Sequence, residues 1–129
     1  MPRSYVTGTW QKNRAFSPAV ITTGGRTIWV AGHTGQADDS GKSLAGDFEA
    51  QARQCFKNIE KTLAEAGAKL ADLVTMTVFI SDVRNGDQFT QIRRDIFGKD
   101  FPASALITVR GFAQPAMMIE IQSVAVVEG

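Results

Sequence analysis

Glu120 is the one carboxylate in the apolar run Met117-Met118-Ile119-Glu120-Ile121-Gln122-Ser123-Val124-Ala125-Val126-Val127. The run reads as a strand, and most of it calls for burial. An ionised carboxylate is costly to bury unless it is paired or hydrogen-bonded. Glu120 therefore has a partner or a use. One reading is structural: a Glu bonded to neighbouring backbone or side chain, or reaching water from an edge strand. The other is a proton carrier, since perturbed carboxylates gather at sites but also in structural ion pairs.

Two other residues invite the same question. His33 is the sole histidine and closes a β-rich segment. Histidine exchanges protons readily near neutral pH, so His33 is a candidate polar group of a site. A ring simply bonded to backbone fits equally well. Cys55 is the sole cysteine. It lies on the apolar stripe of a helical segment, so it reads as core packing before nucleophile. One cysteine and one histidine cannot make a disulfide or a thiolate or multi-histidine metal site within one chain. No metal and no cofactor are expected.

The composition narrows the function further. The 129 residues suit one domain, 1–129, and 43% hydrophobic with 21% charged residues is an ordinary globular balance. A net charge of +1 gives no basic footprint, and Arg93-Arg94 is too small a cluster to supply one, so nucleic acid is not an expected partner. No stretch has the ~18 apolar residues of a membrane span, and Met1-Pro2-Arg3-Ser4-Tyr5 lacks a signal-peptide core. With its single free thiol, the chain is expected to be cytoplasmic.

The elements that must position Glu120 follow from periodicity. Ala19 to Thr23 and Arg26 to Ala31 are rich in β-branched residues and flank Gly24-Gly25, which predicts an antiparallel hairpin. Trp29 is read as core on its strand face. Asp47 is an N-cap and Gly67 a C′ residue. Between them Phe48, Ala52, Cys55, Phe56, Ile59, Leu63 and Ala66 recur at helical spacing. Leu73 to Ile80 reads as a strand, Asp87 to about Phe97 as a helix with Phe89, Ile92 and Ile96 inward, and Ala105 to Val109 and Met117 to Val127 as strands.

The order β-β-α-β-α-β-β, with a further short strand near Tyr5, predicts an α+β fold with two helices on one face of a mixed sheet. Strands apolar on both faces need a second covering layer, and no element remains to supply it. A second copy of the chain is the expected cover, so the protein is expected to be a homo-oligomer.

A longer pattern runs through the same residues: Phe16-Ser17-Pro18-Ala19-Val20, Trp29-Val30-Ala31-Gly32, Asp47-Phe48-Glu49-Ala50-Gln51 with Asn58, Thr77-Val78-Phe79, Phe101-Pro102-Ala103-Ser104-Ala105 and Ile119-Glu120-Ile121. From about Phe16 to Val126 the chain resembles the RidA/YjgF family, also called endoribonuclease L-PSP. The resemblance implies a chorismate-mutase-like fold and a homotrimer with its sheets packed inward. It also implies clefts between subunits where a small metabolite binds. Enzymatic members hydrolyse enamines and imines there without metal or cofactor. It places Phe16, Gly32, His33, Ser104 and Leu106 at the substrate and Glu120 at the chemistry. Desolvation favours a protonated carboxyl, which lets a cleft carboxylate shuttle protons near neutral pH.

The chain also departs from that pattern. Ser104 stands where enzymatic members carry an arginine that holds the substrate carboxylate, and a hydroxyl cannot make that bidentate charged pair. Leu106 replaces a cysteine, His33 a glutamine, and Phe16 a tyrosine. Arg110 could supply a displaced positive charge or be a solvated surface residue. The expected function is an enamine/imine hydrolase with altered substrate preference. The alternatives are a non-catalytic metabolite-binding trimer and, below both, a ribonuclease.

Overall fold

The computed structural model describes residues 3–128. Its elements are β1 (Arg3–Val6), β2 (Ala19–Thr22), β3 (Arg26–His33), α1 (Phe48–Glu65), β4 (Leu73–Ile80), α2 (Gly86–Phe97), β5 (Ala103–Thr108) and β6 (Ile119–Val127). This is the α+β order expected, including the short strand at Tyr5. The main sheet runs β3-β6-β4-β5 and is mixed: β4 and β5 are parallel, while β6 is antiparallel to both β3 and β4.

Local chemistry sets the long helix. The Asp47 carboxylate accepts from the Ala50 N–H at 3.0 Å, capping α1. At the other end Gly67 takes φ +79°, a conformation that costs glycine little. The stripe from Phe48 to Leu63 is buried, and Cys55 and Ile59 are fully so. Phe56 stacks on Phe89 with ring centroids 6.0 Å apart and meets Phe97 edge-on at 5.9 Å, which locks α1 to α2. Both helices pack on the face of the sheet that carries Met76, Val78, Ile80, Ile121 and Ala125.

Two expectations are corrected. The Gly24-Gly25 turn forms, with φ +68° and +82°, but it does not close a hairpin. β2 pairs with β1 in a separate two-stranded ribbon, and β3 pairs with β6. The cause lies upstream. The Ser17 N–H donates to the Pro102 carbonyl at 3.1 Å, and its hydroxyl donates to the Phe101 carbonyl at 2.6 Å. Ser17 also bridges Ala103, so the chain enters β2 from the β5 edge of the sheet. β3 is the opposite edge, about 14 Å away across three strand spacings. A segment that must cross the sheet end cannot also run alongside β3.

Trp29 is the second correction: it is 81% exposed, not core. It stands on the face that no helix covers. Ala31, Thr75, Thr77, Gln122 and Val124 share that face with it, around a shallow cavity of about 440 Å³. Strand alternation separates two faces, and the one that carries Trp29 has no cover within the chain.

Candidate functional site

Glu120 lies on this uncovered face, opposite Phe79 of β4 and two residues before Gln122. It is partly buried, and its carboxylate has no hydrogen-bond or ion-pair partner among the described residues. The carboxylate rests against Gly32. A Cβ built on Gly32 would sit 2.1 Å from Glu120 Oε2, an impossible overlap. β3 has a register shift between Val30 and His33, which turns Gly32 towards β6. Glycine and bulge together make the room that the carboxylate occupies.

His33 does not join them. It pairs with Ile121, a core position, and its ring turns to α1. Nδ1 lies 2.8 Å from the Ala31 carbonyl and Nε2 2.7 Å from Thr62 Oγ1. A carbonyl only accepts, so Nδ1 donates to Ala31, and Nε2 shares a hydrogen bond with the Thr62 hydroxyl. Within one chain His33 is thus bonded to backbone and to Thr62, with its ring on the helix side of the sheet. Both nitrogens are occupied on the side of the sheet away from Glu120.

Cys55 is sealed in the core and its thiol donates to the His33 carbonyl at 3.1 Å. Burial, with a smaller push from Glu120, raises the thiol pKa from 9.0 to about 12. It is a packing residue, as its stripe position indicated. Arg110 is exposed in the loop before β6. Among the described residues, no three of His, Cys, Asp or Glu cluster as metal ligands would.

Phe16, Ser104 and Leu106 form a second group on the helix side of the sheet, around α2. Ser104 pairs with the buried Met76. Its Oγ accepts a hydrogen bond from Arg93 Nη1 at 2.7 Å. The Arg93 guanidinium lies 5.6 Å from the Phe16 ring centroid and 5.1 Å from that of Phe89. Leu106, 36% exposed, lines a cavity of about 370 Å³ with Arg14, Arg84 and Thr108. Within one chain, then, the sheet separates Gly32 and Glu120 from Phe16, Ser104 and Leu106.

Arg93 was missed in the sequence. The signal was its place on α2, four residues after Phe89 and next to Ile92, where a charge interrupts the inward stripe. Arg93 is 3% exposed. Nη2 donates to the Arg14 carbonyl at 3.1 Å, and Nε has no partner. Burial, then the neighbouring Arg14 and Arg94 charges, lower its pKa to about 10, so it stays a cation at neutral pH.

This two-helix, mixed-sheet scaffold with a glycine-seated carboxylate defines a class. The family model described as endoribonuclease L-PSP matches residues 10–127, and the chain belongs to that family, the RidA/YjgF proteins. It is 31% identical to human 2-iminobutanoate/2-iminopropanoate deaminase, over 86% of this chain and 79% of the human one. A RutC family protein of Aquifex aeolicus is 33% identical over 86% of this chain and 87% of its own. Among solved structures, the Rid protein YyfB of Yersinia pestis superposes with a TM-score of 0.86 at 28% identity, covering 98% of this chain and 100% of YyfB. Rv2704 of Mycobacterium tuberculosis gives 0.70 at 30% identity, with the same coverage. No helix among the described residues is long and apolar enough to cross a membrane.

Proposed function

We propose that the protein is a cofactor-free hydrolase of small enamines and imines that works as a homotrimer. The observation that carries this reading is the unpaired Glu120 carboxylate, seated on Gly32 in a face that the chain leaves uncovered. Relatives named as 2-iminobutanoate/2-iminopropanoate deaminases support the substrate class.

The chemistry needs one proton carrier. Glu120 takes a proton from water as the water oxygen bonds to the imine carbon. It returns a proton to nitrogen, the C–N bond breaks, and ammonia leaves behind a carbonyl product. Atoms balance as imine plus water giving ketone plus ammonia. An enamine first takes a proton at carbon to become the imine.

The trimer supplies what one chain lacks. Packing the Trp29 faces together removes large apolar surface from water. It also brings Glu120 of one subunit close to elements of the next, forming the cleft in which a metabolite binds. The ribonuclease reading is weaker, because His33 is committed to Thr62 and Ala31 and gives Glu120 no second proton carrier.

The test generates 2-aminoacrylate and 2-iminobutanoate enzymatically in the presence of the protein and follows ammonia release. Wild type should accelerate release, and Glu120→Gln should lose about 100-fold or more of that rate. Equal rates for wild type, Glu120→Gln and buffer with every imine would refute the hydrolase. A metabolite that then raised the melting temperature and was recovered unchanged would establish the binding trimer, which the serine at 104 favours.

A further inference from the structure

Gln51 is fully buried on α1, between Phe48 and Cys55 of the apolar stripe. Its amide is fully used. Nε2 donates to the Leu44 carbonyl at 3.0 Å and to the Ala116 carbonyl at 2.9 Å, and Oε1 accepts from the Met118 N–H at 2.9 Å. Carbonyls only accept and an N–H only donates, so the amide has a single orientation. The loop at Leu44 does not depend on Gln51 for its closure. The Leu44 N–H donates to the Gln36 carbonyl at 2.8 Å, and the Asp38 N–H to the Lys42 carbonyl at 2.9 Å. The bonds to Ala116 and Met118 have a different place: the entry to β6, just before Glu120.

Glu120 sits where the sheet holds β6 on one side only. On the β4 side the register runs on through Glu120 opposite Phe79 and Ile119 opposite Ile80. On the β3 side it ends at Ile121 opposite His33. Past that point the chain leaves β3 and α1 takes hold of both segments. The Asn58 amide donates to the Thr34 carbonyl at 2.8 Å. A Cβ built on Gly35 would sit 2.2 Å from the Gln51 carbonyl oxygen, so this stretch lies directly on the helix backbone. Met118 is held from both sides, its N–H by Gln51 and its carbonyl by the Ser81 N–H at 3.2 Å. One helix thus fixes the segment that follows the Gly32 seat and the segment that precedes the Glu120 carboxylate. An apolar side chain at 51 would complete the stripe but leave two carbonyls and one N–H without these partners.

We propose that Gln51 is a positioning residue, which holds the start of β6 so that the Glu120 carboxylate stays on Gly32. Its bearing on imine hydrolysis rests on the hydrolase reading; its control of the Gly32–Glu120 contact does not. The amide does not titrate, so its effect is geometric. A displaced carboxylate meets the reacting water at the wrong distance, and the loss falls on kcat rather than KM.

One arm of the test reads geometry without turnover. Gly32→Ala drives a methyl into the carboxylate and should lower the urea midpoint of the otherwise unaltered chain. In a Gln51→Met background the carboxylate is free to leave its seat, and that lowering should shrink to less than about half. The other arm reads turnover. Gln51→Met should lower kcat for 2-iminobutanoate about 10-fold or more while KM stays within about 2-fold. Asp47→Ala weakens the same helix at its cap and should leave both readouts at wild-type values. Gln51→Asn keeps an amide too short to reach Met118 and should act as Gln51→Met does, which preserves the test where the methionine variant fails to fold. An undiminished Gly32→Ala penalty in the Gln51 variants, or the same effects from Asp47→Ala, would overturn the assignment. So would an unchanged kcat once the penalty is lost, because Glu120 would then act equally well off its seat. The two readings fail separately. A lost penalty in a protein that hydrolyses no imine sinks the hydrolase alone. Imine turnover with an undiminished penalty sinks the positioning role alone.

Discussion

The two faces of the main sheet are built from the same four strands and solve different problems. The helix-covered face is complete: Met76, Val78, Ile80, Ile121 and Ala125 are buried under Phe56, Ile59 and Phe89. The opposite face mixes Trp29, Val124 and Phe79 with Thr75, Thr77, Gln122 and Glu120 and has no cover of its own. One face secures the chain's own fold. The other holds an unpaired carboxylate against glycine, which a self-sufficient core would not retain. A strand with alternating side chains can thus serve stability on one side and recognition on the other.

The largest effect separating the faces is expected from Phe56→Ala. Losing the aromatic that joins both helices should cost about 3–5 kcal/mol in urea unfolding, without changing the assembly of molecules that remain folded. Cys55 tests how tightly that face is sealed. With its thiol at about 12 rather than 9.0, native alkylation at pH 8 should run at least about 1,000-fold slower than for a free thiol. Native alkylation at the free-thiol rate would mean the covered face opens.

On the other face, Gly32→Ala forces the Glu120 carboxylate or β3 to move. It should cost about 1–3 kcal/mol and lower imine turnover, whereas the same change in a Glu120→Ala background should cost much less. Equal costs in both backgrounds would show that the carboxylate does not use the space above Gly32. Asp47→Ala removes the α1 cap and should cost about 1 kcal/mol, with turnover unchanged. The smallest effect on single-chain stability is expected from Trp29→Ser, within about 0.5 kcal/mol for the dissociated chain. Its signature is in light scattering, where the mass of the proposed trimer should fall to that of the monomer. A Trp29→Ser protein that kept its assembly would remove the distinction between the faces.

How much was legible follows from what each feature depends on. Helix α1 was readable end to end, because its cap, its stripe and its terminating glycine are all local. The glycine turn after β2 was readable, but not its strand partner, since Ser17 fixes that through contacts some 85 residues away in sequence. Trp29 shows the same limit: alternation names two faces and cannot say which one a helix will cover. Glu120 and Gly32 were both singled out, but their mutual contact depends on the bulge in β3. Ser104 was read as a lost charge, whereas α2 returns a guanidinium to it from another element.

The strap that Ser17 lays across the start of β5 has a further effect. A sheet usually invites new strands at its free edges. Here one edge is occupied at its beginning by Ser17, and the other, β3, is broken by its bulge near His33. Neither border offers an uninterrupted row of backbone donors and acceptors. Growth by strand addition, the route to ribbons and fibrils, is blocked in the plane. The proposed assembly would use the direction perpendicular to it, where copies meet by side chains and can close.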